Sequence, residues 1–147
     1  MIIIKATEEH AIELSQNLKQ ADLEEVLAGG HEPLEVLLHG VKSSLHCYSA
    51  VENGKVLAMW GINVPHLLGN EASVWLLTAP HIKKRTLLKE SRRFVDYYKQ
   101  QYPHLMGMVY APYKEAIKLL LYLGFDIHTP VKYGRKKAMF SVFELRH

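Results

Sequence analysis

Cysteine and long apolar runs are the scarcest features of this 147-residue sequence. Cys47 is the only cysteine, so no internal disulfide can form, which agrees with a reducing compartment. No run of eighteen or more apolar residues is present that could span a bilayer. The apolar N-terminus turns acidic at Glu8 and Glu9, where a signal peptide would continue its apolar region. We therefore expect a cytoplasmic protein with no membrane partner.

Sequence motifs typical of metal sites, nucleotide sites and catalytic nucleophiles are missing as well. The nine histidines show no pairing at metal-binding spacings, and we expect no metal site. P-loops, nucleophile elbows and Gly-x-Gly-x-x-Gly motifs are also absent from the sequence. Cys47 lies in a predicted strand without a catalytic signature around it, so we interpret it as a small core residue.

Charge is unevenly distributed along the chain, although the net charge is only +3. Residues 1–80 contain 4 Lys and Arg against 10 Asp and Glu, whereas residues 81–147 contain 14 against 5. The C-terminal part should therefore attract anions. A phosphorylated cofactor, a nucleic acid and an acidic protein partner all fit this charge, which does not choose among them.

Hydrophobic periodicity and turn signals predict an α/β (α+β) fold in one domain over residues 1–147. Asn53-Gly54 joins two β-rich runs and is the strongest short hairpin signal that a sequence offers. The predicted strands are residues 2–6, 46–52, 55–64, 73–78, 105–110 and 138–145, with a loop over residues 65–70. The predicted helices begin near Thr7, Asp22 and Pro33 and span residues 84–102 and 113–123. The last helix is strongly apolar in its second half, which predicts heavy burial.

This order of elements resembles the GNAT N-acyltransferase fold over nearly the whole chain. The most specific segment runs from Ala116 through Leu123-Gly124-Phe125 and looks like the family's Ala-Ile-x-x-x-x-x-Leu-Gly-Phe helix. In that family the helix lies beside the pantetheine arm of acetyl-CoA. The resemblance implies a single GNAT-like domain with a central mixed, mostly antiparallel sheet flanked by helices. It also implies acetyl-CoA as the cofactor and an amine as the acceptor.

In the family, an Arg/Gln-x-x-Gly-x-Gly/Ala loop follows a strand and lets the backbone approach the pyrophosphate. Here the matching stretch is Pro80 to Leu88, in which Thr86 and Leu88 replace the two small residues. The resemblance therefore assigns the pyrophosphate to Lys83, Lys84, Arg85 and Thr86. It assigns the thioester to backbone groups of Leu77, Thr78 and Ala79.

Acyl transfer needs a base that keeps the acceptor amine neutral and an acid for the departing thiolate. Glu71 and His81 flank the strand over residues 73–78, and each is a candidate base. The family's usual acid is a Tyr four residues before the motif's Gly, a position that Leu120 occupies here. Tyr113 is the substitute that we predict as the acid. A solvated loop position is the alternative role for Glu71 and His81.

A closer resemblance links residues 74–78, residues 90–95 and the Leu-Gly-Phe helix to small GNAT-like proteins of tailed bacteriophages. Some of those proteins are named internal virion protein A. Three functions follow as alternatives from the two resemblances and the charge. The first is acetyl transfer from acetyl-CoA to an amine. The second is a non-catalytic module that binds a phage or host protein in virion assembly. The third is nucleic-acid binding through the basic stretch over residues 83–93.

Overall fold

The computed structural model describes residues 1–65 and 69–147, so residues 66–68 of the predicted loop lie outside the described residues. The structure is a mixed α/β fold with a mostly antiparallel sheet and flanking helices, which confirms the predicted fold class. The chain divides into two compact units. The first unit comprises Met1–Asn63 and Val74–Ile82, and the second comprises Val64–Ser73 and Lys83–His147. One domain over residues 1–147 stays a prediction.

The first unit is built from three helices and four strands. Its elements are β1 (Ile2–Lys5), α1 (Glu8–Ser15), α2 (Gln20–Ala28), α3 (Pro33–Ser43), β2 (His46–Glu52), β3 (Lys55–Asn63) and the last five residues of β4 (Glu71–Thr78). The strand order is β1-β2-β3-β4, and β2 is antiparallel to both β1 and β3. The sheet of this unit therefore ends in β1 on one side.

Local signals in the sequence set the ends of these elements. The Thr7 hydroxyl accepts the His10 backbone N–H at 3.2 Å, and the Thr7 N–H donates to His10 Nδ1 at 3.2 Å, so α1 begins with a reciprocal cap. Pro33 opens α3, where its missing N–H has no helical partner to lose. Asn53 and Gly54 have φ values of 52° and 75°, as a tight hairpin turn requires. The predicted hairpin is confirmed.

Trp75 is a packed side chain of the first unit and stands over two glycines. A Cβ at Gly40 would lie 2.5 Å from Trp75 Cζ2, and a Cβ at Gly61 would lie 2.6 Å from Trp75 Nε1. The indole N–H donates to Ser44 Oγ at 2.9 Å, so its polar atom has a partner. Trp75 is therefore part of the core packing of the first unit.

The second unit combines two helices with the other strands. Its elements are the first three residues of β4, α4 (Lys84–Tyr98), β5 (His104–Tyr110), α5 (Lys114–Tyr122), β6 (Asp126–Ile127), β7 (Val131–Tyr133) and β8 (Ala138–Arg146). The strand order is β4-β5-β8-β6, with β7 paired to β8. Only the β4–β5 pairing is parallel among the pairs of this unit in the described residues. Gly107 faces Phe143 on β8, whose ring takes the space of a side chain.

Two expectations about helices need correction. The helix predicted over residues 84–102 ends at Tyr98, and Gln101 and Tyr102 then form a turn by donating their N–H groups to the Tyr98 carbonyl. Pro103 disfavours helical geometry at Tyr102, so the helix could not extend as far as predicted. Heavy burial of α5 was also a wrong expectation, since none of its residues is fully buried and Leu121 is 56% exposed. The buried apolar contacts come after the helix, from Leu123 and Phe125.

Candidate functional site

The end of β4 carries three predicted site residues, and all of them are buried. Leu77, Thr78 and Ala79 are at most 5% exposed. The Thr78 N–H donates to Asp22 Oδ2 at 2.7 Å, and the Thr78 hydroxyl donates to the same oxygen at 2.5 Å. The Ala79 N–H donates to the Leu57 carbonyl at 2.8 Å. Two of the backbone donors that the resemblance assigns to a thioester therefore already have partners within the first unit.

Asp22 is a site-shaping residue that the sequence analysis did not identify. It lies in the first turn of α2, where a carboxylate is favoured by the helix dipole, and it is 4% exposed. A buried carboxylate needs hydrogen-bond donors, and Thr78 supplies two of them. The pairing spans 56 positions of sequence, so no local pattern could have indicated it.

The first turn of α4 in the second unit brings the predicted phosphate ligands together. Lys83 is the N-cap, Lys84 and Arg85 follow it, and all three side chains are exposed. No side chain caps this helix start, and no acidic residue lies in its first turn. Thr86 is half-buried within the same turn. Unpaired N–H groups, the positive end of the helix dipole and three cations all favour an anion at this position.

The rest of the outer face of α4 is largely neutralised by its own acids. Arg92 Nη1 and Lys99 Nζ lie 3.9 and 3.4 Å from Asp96 Oδ1, and Arg93 Nη1 lies 3.5 Å from Glu90 Oε2. Within residues 1–65 and 69–147, none of the three cations of the first turn makes a comparable ion pair. Within the described residues, the uncompensated charge of the stretch over residues 83–93 therefore lies on the three cations of the helix start and on exposed Lys89.

A pocket of about 680 Å³ lies in the first unit beside the β2–β3 turn. Two predicted site residues, Ala79 and His81, line it together with Glu13, Asn17, Leu18, Glu52, Asn53, Gly54, Lys55, Val56, Leu57 and Pro80. Glu13 is held in place, because its Oε2 accepts the Val56 N–H at 2.6 Å. Glu52 Oε1 already lies 3.5 Å from the Met1 ammonium, so Glu13 is the carboxylate that can attract a cationic guest. His81 is a group that can accept a proton from that guest.

Glu71 and Tyr113, both in the second unit, occupy different elements. Glu71 is the exposed first residue of β4, and its Oε1 lies 3.8 Å from His104 Nδ1. Tyr113 is the half-buried N-cap of α5. Its N–H donates to the Tyr110 carbonyl at 2.9 Å. Leu120, at the position of the family's acid, is half-buried and has no proton to donate. The predicted catalytic roles of Glu71, His81 and Tyr113 stay predictions.

His104 also contacts Glu144, whose carboxylate lies close to two histidines and one arginine. His104 Nε2 and His128 Nε2 lie 2.9 and 2.5 Å from the two Glu144 oxygens, and Arg146 Nε donates to Oε1 at 3.0 Å. Desolvation opposes the charged form of Glu144. The hydrogen bond from His104 and the charges of Arg146, His128 and His104 outweigh it and hold the pKa of Glu144 below its ordinary value. Glu71 is thus next to a structural ion network at the start of its strand.

The described residues contain neither a metal-binding group of side chains nor a membrane-spanning helix. Within residues 1–65 and 69–147, no three His, Cys, Asp or Glu side chains are grouped so that they could hold a metal ion. In the same part of the chain, no helix is long and apolar enough to cross a membrane. The cytoplasmic location stays a prediction.

The fold is that of the GNAT acetyltransferases, as comparison with solved structures shows. A GNAT superfamily phosphinothricin acetyltransferase from Sinorhizobium meliloti, in complex with acetyl-CoA, matches with a TM-score of 0.72 and 13% identity over 99% of this chain and 87% of its own. A protein from Salmonella typhimurium, solved with its cofactor acetyl-CoA, matches with a TM-score of 0.71 and 16% identity over 99% of this chain and 93% of its own. The ribosomal-protein-alanine N-acetyltransferase from Brucella melitensis matches with a TM-score of 0.71 and 17% identity over the whole of both chains.

These identities are low, and the likeness concerns the fold. No protein-family model and no curated protein sequence matches the chain. The likeness to the solved structures confirms the predicted GNAT-like architecture. The resemblance to bacteriophage proteins stays a prediction.

Proposed function

We propose that this protein binds acetyl-CoA and transfers the acetyl group to a small or peptidic amine. The observation that carries the proposal is the first turn of α4, which is basic, exposed, free of acids and without a side-chain cap. Two proteins of the same fold hold acetyl-CoA in their structures, which supports this ligand over other anions. A pyrophosphate would accept hydrogen bonds from the backbone N–H groups of this turn.

Lys83, Lys84 and Arg85 would supply the charge that the pyrophosphate needs, and Thr86 would add a hydroxyl donor. Because the family's two small residues are missing here, the backbone cannot approach the pyrophosphate as closely. The three cations would compensate by attracting the pyrophosphate through their charge. The first turn therefore fits the phosphate end of the cofactor. The end of β4 fits the thioester less well, since the Thr78 and Ala79 N–H groups already have acceptors.

The acceptor amine would enter the pocket of the first unit. Glu13 attracts an ammonium group, and His81 accepts its proton so that the amine nitrogen can attack the thioester carbon. The C–S bond then breaks, and the departing thiolate takes a proton, for which Tyr113 is the proposed donor.

Titration calorimetry with acetyl-CoA tests the cofactor part of the proposal. The variant Lys83→Glu/Lys84→Glu/Arg85→Glu should lose acetyl-CoA binding, because the anion then meets three negative charges. A matched control is Lys132→Glu/Lys136→Glu/Lys137→Glu, which makes the same charge change at exposed positions around the β7–β8 turn. The control should bind as the parent does. No heat with millimolar acetyl-CoA, or equal losses in both variants, would remove the proposal.

His81→Gln tests the acceptor part in an assay that follows free thiol release with a panel of amines. We expect acetyl-CoA binding to remain and the transfer rate to fall by about 100-fold or more, the usual share of a general base. Glu13→Gln should raise the KM for amines more than it lowers kcat, because it removes charge from the pocket. Unchanged transfer in His81→Gln would exclude this histidine as the base.

A second candidate function is a non-catalytic module that keeps the scaffold and binds a phage or host protein. The hydrogen bonds from Thr78 to Asp22 favour it, because they occupy groups that catalysis would use, and Leu120 in place of a Tyr favours it too. Partner copurification that survives the Lys83, Lys84 and Arg85 reversal would support this candidate. Acetyl transfer by the parent protein would argue against it.

A further inference from the structure

The β7–β8 hairpin, residues 131–140, is a basic surface of the second unit that the proposed function does not use. Its four cations are Lys132, Arg135, Lys136 and Lys137. No Asp or Glu occurs in residues 127–143, and residues 131–137 are all exposed. Within the described residues, none of the three lysines makes an ion pair. Their charge is therefore available to attract an anionic partner.

Tyr133 adds an aromatic ring to this basic surface, and packing holds the ring from one side. Its centroid lies 5.3 Å from the ring centroid of Phe140 on β8, which in turn lies 5.3 Å from the ring centroid of Tyr110 on β5. Phe140 is 4% exposed, whereas Tyr133 is 45% exposed. A buried ring thus supports an outer ring that solvent reaches. Because the outer ring is already ordered, it loses little freedom when a flat partner stacks on it.

The turn of the hairpin places a lysine where the backbone favours a smaller, uncharged residue. The Lys137 N–H donates to the Gly134 carbonyl at 3.2 Å, and the φ value of Lys137 is 52°. Gly and Asn adopt this left-handed conformation at lower cost than lysine does. In the described chain, Asn53 is the other non-glycine residue with a positive φ. The local geometry of the turn therefore does not explain the cation at position 137.

We propose that the β7–β8 hairpin binds single-stranded nucleic acid, with a base stacked on Tyr133 and phosphates on the neighbouring lysines. Lys132 precedes the ring directly, and Lys136 and Lys137 follow it through the turn. Cations therefore lie on both sides of the ring along the chain. A single strand alternates flat bases with phosphates, and an aromatic ring between cations matches that alternation.

The exposed ring of Tyr133 favours an unpaired strand over other polyanions. Bases in a duplex are already stacked on each other, so the ring gains a stacked partner only from unpaired bases. An acidic protein segment would pair with the lysines and leave the ring without a stacked base. The other basic stretch, over residues 83–93, contains no aromatic residue. The hairpin is therefore the better site of the two for a single strand.

Fluorescence anisotropy with a labelled oligothymidylate of about 20 nucleotides, long enough to cover one such site, tests the charge part of the proposal. Parent protein should bind, and its affinity should fall as salt rises. Lys132→Gln/Lys136→Gln/Lys137→Gln should lower the slope of log affinity against log salt by about 2, since each lost phosphate contact removes about 0.7. Lys83→Gln/Lys84→Gln/Arg85→Gln is the matched control with the same charge change and should keep the parent slope.

Lys137→Asn separates binding from folding, because asparagine adopts the left-handed turn and carries no charge. Its affinity for the oligothymidylate should fall several-fold at low salt. Its thermal unfolding temperature should equal or exceed that of the parent, so the weaker binding cannot come from a damaged fold.

Variants of Tyr133 test the stacking part. Tyr133→Leu should weaken binding about tenfold or more, and Tyr133→Phe, which keeps the ring, should bind as the parent does. Tyr97→Leu is the matched control, since Tyr97 is an exposed tyrosine of the same unit at 57%. Circular dichroism confirms that the variants are folded. Polyglutamate of similar length should compete poorly with the oligothymidylate.

Three results would overturn the proposal. The first is no binding of oligothymidylate by the parent protein at low salt. The second is a loss of salt dependence in the variant of Lys83, Lys84 and Arg85 with none in the hairpin variant, which would place the strand at α4. The third is parent-like binding by Tyr133→Leu together with strong competition by polyglutamate, which would make the hairpin a surface for acidic protein segments. Acetyl-CoA binding is measured separately, so each of these results leaves the proposed function standing.

Discussion

The Asp22 carboxylate binds both the backbone N–H and the hydroxyl of Thr78, at 2.7 and 2.5 Å. This pairing fixes the first turn of α2 against the last residue of β4, and both residues are 4% exposed. The Lys19 N–H adds a third link by donating to the Thr78 carbonyl at 2.9 Å. The polar groups at the end of β4 therefore serve the stability of the first unit, whatever ligand the protein binds.

Asp22→Ala should lower the free energy of unfolding by about 2–4 kcal/mol, because two buried donors lose a charged acceptor. Urea denaturation measures the change. Asp96→Ala is the matched control, since that carboxylate pairs with Arg92 and Lys99 on the helix surface, and it should cost less than about 1 kcal/mol. Equal losses of unfolding free energy in the two variants would show that the Thr78 hydrogen bonds stabilise the protein no more than a surface ion pair does.

Gly40→Ala and Gly61→Ala should each destabilise the protein by about 1–3 kcal/mol, because the new methyl group meets the Trp75 ring. Gly29→Ala is the control. Gly29 is the C-cap of α2 with φ −73°, a value that alanine adopts readily. The nearest atom to an added Cβ lies 3.4 Å away, so this change should be close to neutral or slightly stabilising.

A double variant distinguishes a clash with the indole from a general effect of the extra methyl group. Combining Gly40→Ala with Trp75→Leu removes the ring that the methyl group meets. The cost of the double variant in urea denaturation should then be smaller than the sum of the two single costs. Additive costs would contradict the packing described here.

The Cys47 thiol should react slowly with alkylating reagents in the native protein at pH 8. Burial raises the pKa of Cys47 to about 11, so the reactive thiolate is scarce. We expect modification about 100-fold slower than in protein unfolded by urea, where the thiol has its ordinary pKa. Native and unfolded rates measured with iodoacetamide check this, and equal rates would contradict it.

The raised pKa of Cys47 also makes the free energy of unfolding depend on pH in the alkaline range. The folded state holds the Cys47 proton more tightly than the unfolded chain does, so this stabilisation is complete below the unfolded pKa near 9 and is lost as the pH rises toward 11. Cys47→Ala should therefore lose less unfolding free energy than the parent between pH 8 and pH 11. Parallel pH profiles for the two proteins would count against a buried thiol.

Glu144→Gln should destabilise the protein at neutral pH and have little effect in acid. His104, His128 and Arg146 lower the pKa of Glu144, so its charge stabilises the fold above the unfolded pKa near 4.5. That contribution is lost as the pH falls through the lower folded pKa. Thermal unfolding of parent and variant from pH 7 to pH 3 should show their difference closing. Glu90→Gln is the control, because within the described residues Glu90 makes one ion pair, with Arg93 at 3.5 Å on the helix surface. It should leave the profile almost unchanged.

Element boundaries were predictable where a residue imposes its own backbone geometry. Thr7 caps α1, Pro33 opens α3, Asn53 and Gly54 form the hairpin turn, and the strand predicted over residues 46–52 has those bounds in the structure. The burial of α5 was not predictable in this way. Its apolar run covers more than one face, and a run of leucines does not say which of them finds a partner.

The candidate site was also predictable from the sequence only in part. The exposed cations at the start of α4 follow each other in sequence, so their meeting in one helical turn could be predicted from order alone. The pocket could not, because Glu13, Glu52 and His81 come from α1, β2 and the segment after β4. The hydrogen bonds of Asp22 to Thr78 were not predictable either. A single acid in the first turn of a helix is typical of a surface residue that the helix dipole favours.

The sequence by itself determined the order of elements, the hairpin, the caps and the basic helix start, because each depends on the conformational preferences of a few neighbouring residues. The tertiary structure alone decided that Thr78 donates to Asp22 and that Trp75 covers Gly40 and Gly61. Those contacts join residues that are far apart in sequence. Packing geometry and the need to satisfy buried polar groups select them, and no local pattern carries that information.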